Sequence, residues 1–219
     1  MIEEIIEPEL NEYFSLMESR PDLFRDSDLI PIIKDINTIR AFTQRTGKKI
    51  GILYRSKYNM LITDLIWPES AEPYVYERIV PVSSGSVVIV GVYENKFVLL
   101  KQFRHAFREF QYAFIRGFGE PGIDALNNVF KEVQEEVGAK VIESAYIGNI
   151  AADSGLTSGI ASVYFCKVSC PVIKKGYEGI KEMILLDQKE FDCWIEAGKI
   201  NDGFTLGAYS LYCSHMRSV

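Results

Sequence analysis

The sequence predicts an α+β fold, a mixed sheet with helices packed against it, preceded by a helical N-terminal segment. Three observations carry this expectation. Strand-like segments occur both before and after one central helical segment, which favours a mixed sheet covered by helices. Residues 1–46 show helical spacing instead. At 219 residues the chain is long enough for one good-sized domain, with or without an appendage, to bury a core without disulfide staples.

Taken in order, "EPELNEYFSLMESR" places Leu10, Tyr13, Phe14 and Met17 at helical spacing. "DSDLIPIIKDINTIRAFTQRTG" reads as a second helix, with Asp26 or Ser27 as its cap and Gly47 as its stop. These two helices form an appendage over 1–46 that packs on the main domain or on a second subunit. From Lys48 the texture changes. "KIGILYR", "MLITDLIW", "YVYERIVPV", "GSVVIVGVY" and "KFVLLKQF" are rich in Val, Ile, Tyr and Phe, as strands are, and "YENK" between the last two suits a hairpin turn. A helix at about 124–138 follows, then the strand-like "VIESAYIGNI", "IASVYFCKVS" and "EMILLD". The helical "QKEFDCWIEAGKI" and "TLGAYSLYCSHM" close the chain.

A formal charge of −6 argues against a surface built for nucleic acid phosphates or anionic lipid, and points to a small-molecule partner. Four cysteines (Cys166, Cys170, Cys193 and Cys213) are too few and too irregular for a disulfide framework, and two histidines do not complete a zinc set. The opening "MIEEIIEPEL" is acidic where a signal peptide is basic, and no apolar run spans a bilayer. The expected compartment is the cytoplasm.

The chemistry-bearing stretch is "RGFGEPGIDALNNVFKEVQEEVGA". Pro121-Gly122 makes a turn, Asp124 caps a helix and Gly138 ends it. On a 3.6-residue period Leu126, Val129, Phe130, Val133 and Val137 share one face, with Glu132, Glu135 and Glu136 in an arc of roughly 100° beside it. An acidic run on a helix is ordinarily a solvated face. Here a glycine-rich turn leads directly into it, an arrangement that exposes a backbone carbonyl and several carboxylates to one hard cation.

The stretch resembles the Nudix box: Gly, five residues, Glu, seven residues, then Arg-Glu-hydrophobic-x-Glu-Glu-x-Gly-hydrophobic. Gly117, Glu132, Val133, Glu135, Glu136, Gly138 and Ala139 fall in register, while Ile123 stands where the box has its first Glu and Lys131 where it has Arg. The resemblance implies an α/β/α sandwich over 47–219, the Nudix hydrolase domain, with 1–46 as a helical extension. It also implies that Glu132, Glu135 and Glu136 bind Mg²⁺ or Mn²⁺, helped by the carbonyl of Arg116. Lys131 keeps the charge of the missing Arg but not its planar fork, and Glu120 or Asp124 stands near enough to replace the carboxylate absent at Ile123.

Outside the box, "LLKQFRHAF" looks like the Gln-aromatic-Arg segment of ADP-ribose pyrophosphatases, which implies that Arg104 grips substrate phosphate. Ala113-Phe114-Ile115-Arg116-Gly117 lacks the acid and proline that relatives carry before the box. In "ADSGLTSGIASVYF", Ser154 replaces a proline and Gly159 a glutamate. By resemblance the C-terminal region carries a catalytic glutamate before the last strand, at Glu178, with Glu182 as the other candidate. Phe103, Phe107, Phe110 and Tyr112 lie close enough in sequence to Arg104 and Arg116 for one to stack on a nucleobase.

The implied reaction is metal-dependent hydrolysis of a nucleoside diphosphate linked to another moiety, ADP-ribose or a related nucleotide sugar first. The products are a nucleoside monophosphate and a sugar phosphate. One of the box glutamates or Glu178 serves as base, Arg104 and Arg116 bind substrate, and a homodimer is the family's usual state. The competing expectation, motivated by Ile123, Ala113 and Gly159, is a Nudix domain that binds a nucleotide ligand without hydrolysing it.

Overall fold

The computed structural model describes residues 8–173 and 176–218, so the acidic opening at 1–7 lies outside the described residues. The chain divides into two compact units: residues 1–82 with 153–159, and 83–152 with 160–219.

In the first unit, helices α1 (Pro8–Ser19) and α2 (Ile36–Thr46) precede the strands β1 (Gly51–Arg55), β2 (Asn59–Ile66) and β3 (Tyr74–Pro81). The strands form an antiparallel sheet in that order. Leu10, Tyr13, Leu16, Ile39 and Phe42 from the helices share one core with Ile52, Met60, Ile62, Leu65 and Val80 from the strands. The texture change at residue 47 is therefore a change of element within one core, and the unit runs on to Val82. The second helix begins later than expected. Asp35, not Asp26 or Ser27, is its cap, accepting from the Thr38 N–H at 2.8 Å. The reason lies at Pro31, whose carbonyl accepts from Trp67 N–H at 3.1 Å, while Ile33 N–H donates to the Leu65 carbonyl at 2.8 Å. Extended pairing with β2 outcompetes helix there, and proline disfavours helix at the residue before it.

A buried polar network ties this unit together. Tyr13 Oη donates to Asp64 Oδ1 at 2.5 Å, and Arg78 Nε donates to Asp64 Oδ2 at 2.6 Å and, through Nη1, to the Leu23 carbonyl at 2.8 Å. Asp64 is 3 % exposed and Tyr13 fully buried. Removing the carboxylate strands a charge and a phenol in the core, so Asp64→Ala should lose about 3 kcal/mol of stability. A denaturant midpoint equal to the wild type's would show that water or a shifted side chain replaces it. The segment 153–159 completes the unit on the free edge of β3: Ile79 N–H donates to Leu156 O at 2.9 Å, and Ser158 N–H to Ile79 O at 3.0 Å.

The second unit is an α/β/α sandwich around a seven-stranded mixed sheet. Its strands are β4 (Val87–Tyr93), β5 (Lys96–Arg104), β6 (Glu109–Ala113), β7 (Ile115–Gly117), β8 (Val141–Ile150), β9 (Ala161–Val168) and β10 (Ile180–Leu186). The central order is β10-β5-β4-β9-β8, with β6 on β5 and β7 on β4; β4 and β9 are parallel and the other pairs antiparallel. Glu94 and Asn95 turn the β4–β5 hairpin with φ of 47° and 61°, the positive pair that matches strand twist. Alternate strand residues feed opposite faces. Val87, Ile89, Val98, Leu100 and Ile115 meet helix α3 (Ala125–Val137), whereas Val88, Val90, Phe97, Leu99 and Phe114 meet α4 (Gln188–Glu196) and α5 (Gly203–Met216). The short strands β6 and β7 had no separate signal in the sequence reading. They matter most, because they bring Arg116 and Gly117 to the edge of α3. No helix among the described residues is long and apolar enough to cross a membrane.

Candidate active site

Helix α3 starts where its sequence says it should. Asp124 accepts from Asn127 N–H at 2.8 Å, and Gly138 ends the helix in the left-handed region at φ 59°. Its buried face differs from the expected stripe: Val129, Val133 and Val137 are inside, but so are Asn128, Glu132 and Glu136, while Leu126 and Phe130 are 40 % and 44 % exposed. Two of the three glutamates are thus core-facing rather than flanking. Glu136 is 1 % and Glu132 8 % exposed.

Gly117 makes room for this. A Cβ there would lie 2.0 Å from Glu132 Oε1, so the absence of a side chain is what lets the carboxylate rest against β7. Beside it, the Arg116 backbone N–H hydrogen-bonds Glu136, whose Oε2 is buried with no protein partner. Burial first, and then mutual repulsion with Glu132, pushes the Glu136 carboxyl up to about 8; burial likewise raises Glu132 to about 7 against the pull of Lys131. Two buried, mutually repelling acids, one with an orphaned oxygen, are groups that could hold a divalent cation, which would supply the missing partner and remove the repulsion.

Glu135 stands apart from this pair. Its Oε2 accepts from Lys131 Nζ at 2.9 Å and from Tyr177 Oη at 3.2 Å. Among the described residues no three His, Cys, Asp or Glu side chains are gathered closely enough to hold an ion as they stand. Lys131 also reaches Glu120 Oε1 at 3.2 Å and Glu132 Oε1 at 3.7 Å. Of the two acids near Ile123, it is Glu120 that meets the lysine; Asp124 is taken up as the helix cap.

The loop between β7 and α3 is fixed by contacts that have no counterpart in a box pattern. Asn128 Nδ2 donates to the Gly85 carbonyl at 3.0 Å and the Phe118 carbonyl at 2.9 Å, and Gly119 N–H donates to Ser86 Oγ at 3.2 Å. A polar residue inside the apolar stripe of α3 was the available sequence signal for Asn128.

The two arginines differ in commitment. Arg116 Nη1 donates to Asp202 Oδ1 at 3.0 Å and its guanidinium lies 5.4 Å from the centre of the Phe204 ring. Asp202, the cap of α5, also accepts from Thr205 N–H at 2.9 Å. Arg104 has a buried Nε with no protein partner, and burial together with Arg116 lowers its guanidinium to about 10, against the opposing pull of Asp202, Glu136 and Glu178. A partly buried guanidinium with an unsatisfied Nε is the kind of group that could take an anion.

Glu178 sits on the short 3-10 turn Tyr177–Gly179 before β10 and its charge is felt by Glu132, Glu136 and Arg104. Gln102 Nε2 holds its carbonyl at 2.9 Å. Glu182, the other candidate, is on β10 and pairs with Lys101 at 2.9 Å. Of the aromatic residues, Phe103 packs edge-on to Phe110 and Tyr112 to Trp194, while Phe107 is 68 % exposed. Sequence reasoning missed Asn128, Tyr177 and Asp202; the last lies 86 residues from its arginine, a separation no local pattern reports.

No family model matches the chain, and no curated protein does either. Among solved structures it is similar to one described as "Crystal structure of ADP compounds hydrolase", with a TM-score of 0.66 and 16 % identity over 78 % of this chain and 92 % of that one. The two share a fold.

Proposed function

We propose that the chain is a Nudix-type hydrolase that uses Mg²⁺ or Mn²⁺ to cleave a nucleoside diphosphate linked to another moiety, with ADP-ribose or a related nucleotide sugar as substrate. The observation that carries this reading is the buried Glu132–Glu136 pair, in which Glu136 Oε2 has no protein partner and Glu132 rests against a glycine that has no room for a side chain. The similarity in fold to an ADP compounds hydrolase supports it.

In this reading Glu132, Glu136 and the Arg116 carbonyl hold the cation, with Glu135 joining them. The bound ion would neutralise phosphate charge and lower the pKa of a coordinated water. The chain's own residues do the rest. Arg104, whose Nε has no protein partner, binds a phosphate oxygen, and Arg116, bonded to Asp202 through Nη1, fixes the strand that presents its carbonyl. Glu178, on the turn facing Arg104 and Glu136, accepts the proton of the attacking water.

The test is hydrolysis of a nucleoside-diphosphate panel that includes ADP-ribose, with Mg²⁺, with Mn²⁺ and with chelator. Metal-dependent release of a nucleoside monophosphate is expected. No turnover alongside metal-dependent ligand binding would replace the hydrolase by a nucleotide-binding module. Arg104→Ala should raise KM about ten- to a hundredfold with a smaller change in kcat, the loss expected for a charge-assisted phosphate contact. An unchanged KM would remove Arg104 from the site.

A further inference from the structure

Glu135 Oε2 accepts two hydrogen bonds, from Lys131 Nζ at 2.9 Å and Tyr177 Oη at 3.2 Å. Two donors occupy both lone pairs of a carboxylate oxygen, so that oxygen is closed to a cation while they remain. Glu132 and Glu136, three and one positions away along α3, are buried, whereas the Glu135 side chain is 35 % exposed at the helix flank. Tyr177 belongs to the same turn as Glu178, which adopts φ 44° and ψ 33°, a conformation uncommon for a residue with a side chain. Gly176 and Gly179 flank it at φ 84° and 78°. Side chains of the rest of the unit hold the turn through the Gln102 bond to the Glu178 carbonyl and the Tyr177 bond to Glu135.

Resting on the metal-site reading above, we propose that Tyr177 is a positioning residue that latches Glu135 away from the ion site, so that cation loading and the placement of Glu178 are coupled. Drawing Glu135 onto the ion breaks the Tyr177 bond and loosens the turn, so that the Glu178 side chain swings to the substrate about a backbone that Gln102 still anchors. In the metal-free chain the latch competes with the ion for one carboxylate and weakens binding. It also keeps Glu178 from its working position until the ion has arrived.

The decisive variant is Tyr177→Phe, which removes one hydroxyl from a residue 37 % exposed and leaves the fold intact. Titration calorimetry with Mn²⁺ alone should show the variant binding roughly fivefold tighter than wild type, the scale of one partly exposed hydrogen bond to a charged group. Amide hydrogen exchange should show Mg²⁺ accelerating exchange over 176–180 in wild type, with the variant already fast without the ion. A role limited to bracing the site predicts the opposite sign, weaker binding. Unchanged or weakened Mn²⁺ affinity in the variant, or a wild-type turn whose exchange ignores Mg²⁺, overturns the latch. A wild type that binds no divalent ion overturns the metal site itself, an outcome distinct from failure of the latch.

Discussion

Glu136→Gln should reduce metal-dependent turnover roughly a thousandfold, the loss of several kcal/mol of electrostatic stabilisation, and should at the same time make the metal-free protein more heat-stable at alkaline pH. The two effects share a cause. Glu136 is 1 % exposed and its carboxyl is raised to about 8, chiefly by burial and then by Glu132. A carboxyl whose folded pKa lies above its unfolded value retains its proton in the fold. Its favourable contribution is complete below about 4.5 and disappears as pH rises through about 8. Without metal, wild-type Tm should therefore fall from about pH 5 to about pH 8.5. Mg²⁺ should restore it at the upper end, since an ion that binds only the folded state stabilises it. Glutamine is neutral throughout, so the variant's profile should flatten and lose most of its response to Mg²⁺. Wild-type turnover in the variant, or an undiminished pH slope, would take Glu136 out of this role.

Gly117→Ala and Gly119→Ala should fail in opposite ways. At Gly117 the new methyl would meet Glu132 Oε1 at 2.0 Å, Cδ at 2.2 Å and Cγ at 2.5 Å. Those atoms end a flexible side chain, so the glutamate can leave and the fold survive. The expected result is a Tm close to wild type with Mn²⁺ affinity reduced about a hundredfold, on the scale of a displaced ligand. At Gly119 the obstacle is the Ser84 carbonyl oxygen at 1.8 Å and its carbon at 2.4 Å. Backbone cannot rotate away, so stability should drop by about 3 kcal/mol, in the range of strained or overpacked cores. Calorimetric melting and Mn²⁺ titration on both variants separate these outcomes. Equal Mn²⁺ affinity in Gly117→Ala and wild type would show that Glu132 does not hold the ion where it now rests.

Much of the architecture was legible because local chemistry and tertiary packing agree. Asp124 and Gly138 bound α3 as their capping preferences dictate, and Glu94-Asn95 turns the hairpin its composition announces. Helical arithmetic misplaced Leu126 and Phe130, because a period gives a direction around an axis but not which side the sheet covers. Pro31 concealed an extended pairing inside a helical pattern. The box register located the glutamates. It was silent on Tyr177, the partner of Glu135 42 residues away, and on Asn128, which bonds two loop carbonyls from within an apolar stripe. Such contacts come from the sheet's topology, which no short window encodes.

The segment 153–159, a turn with a single bridge to β3, gives the first unit a particular order of assembly. Ile79 keeps its outward N–H and carbonyl for Leu156 and Ser158, so during synthesis β3 must wait for residues that emerge several seconds after Val82, at about 5–20 residues per second. Through that interval the nascent chain presents an open sheet edge, the surface on which foreign strands pair. A ribosome pausing between codons 83 and 159 would lengthen the exposure, and early aggregation, rather than loss of the finished molecule's stability, would be the cost.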